Sequence, residues 1–368
     1  MSARSLPVMP QIDTSGEAEA DARLRFLQSP AAHRGHAGVV DVVETIETHM
    51  SWVFMAGDHV VKLKKAVRYP FLDFSTLAAR EHFCREELRL NARLAPGVYL
   101  GLLALRRCDG TYTLLPEAQL PAAGQTVDWL VLMRRLPPQR LLDHLIAEGR
   151  ATCEDIDALA RVLAAFYRQA PAAGVPPPEY LARFRHEQAI NRQVLMQPAL
   201  RLPGTEAALD GLDAALSRHA GLLLARAAGG HVVDGHGDLR PEHVCLQGPP
   251  VVIDALEFNA ALREVDPFDE LCFLGLECEL AGAPWIGPQL VTTCATMLGD
   301  APPHALLHLY TAYRAQLRAR LALAHLLEPQ PRQTHKWAPQ AQRYLDRSLG
   351  ALARVEAALS AARPRGSP

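Results

Sequence analysis

The stretch His231–Asp266, HVVDGHGDLRPEHVCLQGPPVVIDALEFNAALREVD, constrains the chain more than any other. It sets Asp238 in a tight loop between two short apolar runs and Asp254 at the end of the second run. Val232-Val233 and Val251-Val252-Ile253 suit buried strands, whereas Gly235, Gly237 and Pro241 interrupt regular structure. Both carboxylates are therefore expected on strand-end loops delivered into one cleft. Two acidic groups brought together in that way suit a charge-handling reaction centre.

The 368 residues are enough for two lobes with a cleft or for one large domain. A formal net charge of -2 gives no overall pull toward nucleic acid or an anionic membrane, so neither is expected as a partner. The seven cysteines, at 84, 108, 153, 245, 272, 278 and 294, include no CxxC pair and read as reduced, mostly buried thiols. The opening MSARSLPVMPQIDTSGEAEAD has no apolar leader segment, and a cytoplasmic location is expected. Nothing in the sequence bears on oligomeric state.

Residues 1–21 are polar and read as a loose tail, followed by a short helix over 22–28 and a connector rich in Gly and His. From Val39 the chain becomes β-rich. VVDVVETIETH, SWVFMA and HVVKLKK read as strands, the last two joined by a hairpin turn at Ala56-Gly57-Asp58. Ser75 is expected to cap a helix whose apolar stripe runs through Leu77, His82, Phe83, Leu88, Leu90 and Leu94 until Pro96. LGLLALRR and TYTLLP flank a second hairpin turn at Asp109-Gly110, and VDWLVLMRRL ends at Pro137-Pro138. Beyond that, Ala, Leu, Arg and Glu recur at helical spacing, interrupted by the 231–266 stretch. In LYTAYRAQLRAR, Tyr310, Tyr313, Arg314, Arg318 and Arg320 fall at helical intervals, and the segment reads as an amphipathic helix with a solvated basic face, the other reading being a face that walls the substrate side of the cleft. The tail ARPRGSP is expected to fray.

These residues together resemble the kinase-like phosphotransferases that include aminoglycoside phosphotransferases and choline kinases. HGDLRPEH stands where that family has its catalytic loop, and VVID where it has the metal-binding aspartate. ETHMSWVFMAGDHVVKLKKAVRYPFLDFSTLAAREHFCREELRLNARLAP and DALEFN look like a branch of the family that is sometimes fused to a P-loop ATPase. No GxxxxGK[ST] occurs in these residues, so the fused ATPase is expected to be absent. The resemblance implies an α+β, bilobal protein-kinase-like fold. A small antiparallel-sheet lobe with one helix would span residues 22–136 and a larger, mainly helical lobe residues 137–361.

The resemblance further implies an ATP-dependent kinase that uses Mg2+, or Mn2+, to phosphorylate a hydroxyl of a small molecule. Asp238 would be the catalytic base and Asp254 a metal ligand. Lys62 and Lys64 share a strand face, and either could reach phosphate oxygens; the family pattern V-x-K favours Lys62. Its carboxylate partner would be Glu87, favoured over Glu86 by an E-x(6)-L spacing to Leu94, while Glu257 is open between aiding the metal and a fold ion pair. The hinge Leu132–Leu136, LMRRL, with Met133 and Leu136, would present backbone N–H and C=O groups to the adenine edge while apolar residues around it cover the purine faces, and the turn Thr48–Ser51 takes the place of a phosphate-covering loop.

One position departs from the pattern. The loop's final Asn is replaced by His243, an imidazole that suits manganese better than magnesium as a ligand, or that could instead hydrogen-bond a phosphate or Asp238. A catalytically impaired pseudokinase acting as a nucleotide-binding or scaffold module is therefore the alternative. Arg240 is read as either a phosphate contact, a partner of Glu264–Asp266 or a loop-closing ion pair. Asp266, Asp269 and Glu270 are read as braces of the catalytic loop, and His236 as a loop-packing residue.

Overall fold

The computed structural model describes residues 14–69, 72–328 and 331–362, so the expected tail ends at 1–13 and 363–368 lie outside the described residues. Internal contacts divide the chain into residues 1–141 with 251–260, and residues 142–250 with 261–368. The first boundary thus falls at Leu141 instead of Leu136. The segment carrying Asp254 belongs to the first unit although in sequence it lies between the two halves of the second.

In the first unit, α1 (Thr14–Leu27) and α2 (Pro30–Ala37) precede β1 (Val43–Glu47), β2 (Ser51–Ala56) and β3 (His59–Lys64). A two-residue strand pair, β4 (Arg68–Tyr69) with β5 (Leu72–Asp73), leads to α3 (Leu77–Asn91), then β6 (Tyr99–Cys108), β7 (Thr111–Pro116) and β8 (Gln125–Arg134). The helix α1 begins inside the stretch read as tail, and α2 replaces the expected connector. Six strands form an antiparallel sheet in the order β1-β2-β3-β8-β6-β7. Asp109 and Gly110, both at positive φ (48° and 81°), make the β6–β7 turn in the left-handed pair of conformations that matches strand twist.

Strand alternation sorts the sheet's two faces. Phe54, Val61, Leu63, Leu103, Leu105, Leu114 and Leu130 pack with Leu27 and Ala32 of the first two helices. Leu102, Ala104, Trp129, Val131 and Met133 pack with Cys84 of α3. Lys62 and Lys64 alternate with Val61 and Leu63, and both side chains bond to α3.

The buried face of α3 keeps part of the expected apolar stripe, with Leu90 buried and Leu77 and Leu88 packed against the core, but it also takes in Arg80, Cys84, Glu87 and Asn91, while His82 is exposed. Such a face is stable because each polar group has a partner: Arg80 Nε lies 2.7 Å from Asp128 Oδ1, and Asn91 Nδ2 donates to Glu87 O at 2.9 Å. Thr76, not Ser75, caps the helix by accepting from Ala79 N at 3.1 Å; Ser75 bonds back to Asp73. The helix ends at Asn91, before Pro96 is reached.

Three histidines tie α2 to the sheet. His33 is fully buried, with Nε2 2.7 Å from Leu27 O and Nδ1 3.1 Å from His36 Nε2; the His36 and His59 rings lie 6.2 Å apart. Burial, then the charges His33 and His59 would carry, lower the His36 pKa to about 4. The unfolded chain binds this proton first, so its contribution is intact above pH 6.5 and is lost as pH falls toward about 4. Thermal midpoints are expected to drop between pH 7 and 4.5, and less steeply in His36→Gln.

The second unit is mainly helical: α4 (Leu142–Ala147), α5 (Cys153–Gln169), α6 (Pro177–Leu195), α7 (Thr205–Arg218) and α8 (Ala220–Ala228) come first. After β9 (Val233–Asp234) and β10 (Val244–Cys245), the chain supplies β11 (Val251–Val252) to the first unit. It continues with β12 (Glu264–Val265), α9 (Pro267–Leu280), α10 (Ile286–Leu298), α11 (His304–Ala324) and α12 (Thr334–Ala362). A core from α6, α7, α9, α11 and α12 includes Leu195, Leu209, Leu276, Ala319 and Tyr344.

The expected basic, solvated face of α11 is instead paired, with Arg314 buried and Arg318 and Arg320 partly buried. Arg314 makes a two-pronged contact with Asp269 (2.8 and 2.6 Å), Arg318 bonds Glu277 (3.0 Å) and Tyr310 donates to Asp266 (3.0 Å). Arginines at helical spacing read the same whether water or carboxylates receive them. The partners come from α9 and its N-cap Asp266, and for Arg320 from Glu187 of α6 at 2.8 Å, none of which sequence spacing reveals. No described helix is long and apolar enough to cross a membrane.

Candidate active site

In the first unit, a chain of charged groups runs from the surface into the core. Lys62 Nζ lies 2.7 Å from Asp254 Oδ1 and 2.9 Å from Glu87 Oε1. Lys64 Nζ lies 2.6 Å from Glu87 Oε2 and also bonds Glu257. Side-chain exposure falls from 44% at Asp254 to 15% at Lys62 and 0% at Glu87 and Lys64. Glu86, the other candidate partner, sits outside this network on Arg89 at 2.7 Å.

Burial alone would lower the Lys62 pKa, but Asp254, then Glu87 and Glu257, outweigh it and hold the amine well above its ordinary range. Burial likewise pushes Glu87 up, and Lys62 followed by Lys64 brings it below the usual value. Burial would lower the Lys64 pKa too, but Glu257 and then Glu87 outweigh it and raise it, so both lysines and Glu87 are charged at neutral pH. Burial pushes Glu257 up.

Asp254 adopts a left-handed φ of 64°, a conformation that Asp tolerates better than most residues. Its N–H donates to Tyr99 Oη at 3.1 Å, and the next amide, of Ala255, donates to Asn91 Oδ1 at 2.9 Å. Thus α3 steadies Lys62 through Glu87 and the Asp254 loop through Asn91. Asn91 was absent from the sequence reading, although its position one helical turn after Glu87 puts both on one face. No sequence signal marked Tyr99.

A divalent cation suits this donor set. Asp254 offers a hard, half-exposed carboxylate, and the three carboxylates outnumber the two ammonium groups of the cluster.

Leu132, Met133 and Arg134 lie in β8, where Met133 pairs with Val60 and Tyr99. The Met133 side chain packs into the cluster on the α3 side. Arg134 N donates to Val98 O and Arg135 N to Asp58 O, while Pro137 and Pro138 have no N–H. Leu136 is the remaining amide of the expected hinge. The turn before Ser51 closes on itself, with Thr48 N and Oγ1 both donating to Ser51 O.

The loop of Asp238 lies in the second unit. Its ends are joined by antiparallel pairing of β9 with β12, Asp234 opposite Glu264. Glu270, fully buried at the start of α9, accepts from His236 N at 3.0 Å, from Gly237 N, and from Tyr167 Oη at 2.9 Å. It is the expected loop brace. Glu270→Ala strands two buried amides and should cost about 2–4 kcal/mol, read as a lowered denaturation midpoint.

The Asp238 carboxylate is 31% exposed, and both Nε and Nη2 of Arg240 lie 3.0 Å from its Oδ2. Arg240 also reaches Glu242 at 2.6 Å, so it is a loop-closing residue and not the partner of Glu264–Asp266. His236 is fully buried and accepts the Asp238 amide at 3.3 Å, as a packing histidine would.

His243, expected as a metal ligand, is engaged at both ring nitrogens. Nδ1 is 2.8 Å from Asp238 O and Nε2 is 3.2 Å from Arg240 Nη2. Nδ1 donates to the carbonyl, which leaves Nε2 to accept from the guanidinium. A metal at Nε2 would break that bond and meet a positive charge, so His243 does not fit as a ligand in this arrangement.

No family model matches the sequence. Uncharacterised proteins of Mycobacterium bovis and Mycobacterium tuberculosis are 30% identical over 304 residues, 78% of this chain. The chain spans 56% of the length of these curated relatives. Among solved structures, a choline/ethanolamine kinase family protein from Mesorhizobium loti matches with a TM-score of 0.50 and 18% identity, over 93% of this chain and 94% of that one. Choline kinase LicA from Streptococcus pneumoniae matches with a TM-score of 0.52 and 13% identity, over 92% of this chain and 99% of that one. Choline kinase from Cryptosporidium parvum matches with a TM-score of 0.52 and 10% identity, over 94% and 99%. With its six-stranded antiparallel sheet in one unit and a mainly helical second unit, the chain has the bilobal kinase-like fold of the choline and ethanolamine kinases.

Proposed function

We propose that this protein is an ATP-dependent phosphotransferase that moves the γ-phosphoryl group to a hydroxyl of a small molecule. The observation that carries the reading is Lys62 Nζ held between Glu87 and Asp254. A lysine fixed by a helix carboxylate beside a half-exposed aspartate suits the α- and β-phosphates of a nucleotide and its metal. Magnesium or manganese bound with the nucleotide would supply charge neutralisation at the phosphates, with Asp254 as its protein ligand.

Lys62 then binds phosphate oxygens, and Glu87 keeps its ammonium aimed. Asp238 accepts the hydroxyl proton of the acceptor, a role its exposed carboxylate can fill once the hydroxyl competes with Arg240 for Oδ2. The Leu136 amide is the backbone donor assigned to the adenine edge. Choline is in the names of all three neighbours reported above; for this chain only a hydroxylated small molecule is proposed as acceptor.

Arg240 on Asp238 and the engaged His243 favour a second reading, a pseudokinase that binds nucleotide without turnover. A thermal-shift series with ATP, alone and with Mg2+ or Mn2+, tests nucleotide binding, which should raise the midpoint. ATP consumption against a panel of hydroxyl compounds tests transfer. Binding without turnover in either metal defeats the enzyme reading, and no ATP-dependent shift defeats both.

A further inference from the structure

We infer that Lys64 and Glu257 form a buried positioning pair that holds Glu87 for Lys62, so that the phosphate-side lysine is aimed by a second lysine that never meets the ligand. This inference deepens the nucleotide-binding reading above and rests on it for its functional meaning.

The two oxygens of the Glu87 carboxylate are divided between two lysines. Oε1 faces Lys62 at 2.9 Å and Oε2 faces Lys64 at 2.6 Å. With Lys62 alone, the carboxylate could turn about its last bond, and Lys62 has a nearer partner in Asp254 at 2.7 Å. Lys64 removes that freedom by pinning the second oxygen. Glu257 then pins Lys64 from its other side.

Burial separates the roles of the two lysines. Lys64 has no exposed side-chain surface, and its ammonium sits 5.0 Å from the centre of the Phe74 ring. A phosphate arriving from solvent reaches Asp254 and Lys62 first, and reaches Lys64 only if the core opens. Stability alone gives little reason for such a pair, because two well-packed apolar residues commonly serve as well as a buried ion pair. What an apolar pair cannot do is fix the orientation of a neighbouring carboxylate.

Strand geometry makes the device compact. Lys62 and Lys64 are two apart on β3 and project from one face, and Glu87 on α3 lies across from both. Glu257 comes from the segment that carries Asp254, so the same loop supplies the outermost and innermost carboxylates of the network.

The test uses the full chain and two variants, Glu257→Gln and the double variant Lys64→Met with Glu257→Leu. The double variant avoids leaving Glu257 buried without a cation, the fault that could unfold Lys64→Met alone. Crystal structures without ligand give the Lys62–Glu87 separation, and calorimetry gives affinities for MgATP and for adenosine. In the double variant the separation should exceed about 4 Å, the limit of an ion pair. MgATP affinity should fall about tenfold or more in both variants while adenosine affinity stays within about twofold.

A Lys62–Glu87 contact that persists in the double variant overturns the inference. So does a parallel loss of MgATP and adenosine affinity, which a merely structural pair would produce. Unchanged MgATP affinity in Glu257→Gln also overturns it, since that is the result if Lys64 acts independently of Glu257. The separation is measured without nucleotide, so a wild type that fails to bind ATP defeats the phosphotransferase reading and leaves this measurement decisive for the pair.

Discussion

Replacing Asp238 with asparagine should lower kcat by about 10²–10⁴, the range that a positioned general base contributes, while ATP affinity stays within about twofold. Asparagine keeps the size of the side chain and an oxygen for Arg240 but takes up no proton. The loop around it should stand, because its shape depends on Glu270 holding the His236 and Gly237 amides and on His243 bonding the Asp238 carbonyl. None of these contacts uses the Asp238 carboxylate. Steady-state kinetics together with nucleotide titration separate the outcomes. Turnover retained at the wild-type level removes Asp238 from the role of base. A parallel loss of ATP affinity would make it a binding residue instead.

The second large effect is expected at the first unit's outer carboxylate. Asp254→Asn should weaken ATP binding at least about tenfold, ~1.4 kcal/mol, in the presence of Mg2+ and change metal-free binding little. Asparagine is the right replacement because it tolerates the left-handed φ of 64° and keeps an amide N–H for Tyr99. What it loses is the charge that would face a cation. Lys62→Met supplies the contrast: it should weaken ATP binding with and without metal, since the ammonium is assigned to phosphate oxygens. Equal losses in both conditions for Asp254→Asn would remove it from the metal's ligands. Metal-dependent loss alone for Lys62→Met would do the same for the phosphate role of Lys62.

Much of the fold could be read in order along the chain. Alternating apolar residues gave strands close to where they lie, and the Asp109-Gly110 turn has the backbone that such a dipeptide prefers. The misreadings share a cause. The face of α3 taken as buried was the apolar one, and Leu90 is buried there, but the helix also buries Arg80, Glu87 and Asn91 because Asp128, two lysines and the Ala255 amide meet them. The same applies to α11, whose arginines looked solvated and are neutralised by Asp269, Glu277 and Glu187. Periodicity reports which residues share a face; it cannot say whether water or an opposite charge waits there.

By itself the sequence determined that Asp238 and Asp254 would sit in loops after short strands, that Lys62 and Lys64 would share a strand face, and that a helix with Glu86 and Glu87 would lie between them in the chain. Local periods of two and 3.6 residues and the breaking power of Gly and Pro are enough for that. Only the tertiary structure decided that residues 251–260 join the first unit, that Glu87 and not Glu86 turns inward, and that Lys62 lies at the exposed end of the network while Lys64 is sealed in its core. It also decided that His243 is taken up by Asp238 and Arg240. Each of these rests on contacts between residues far apart in the chain, or on which of several polar neighbours excludes water, and neither is encoded in spacing.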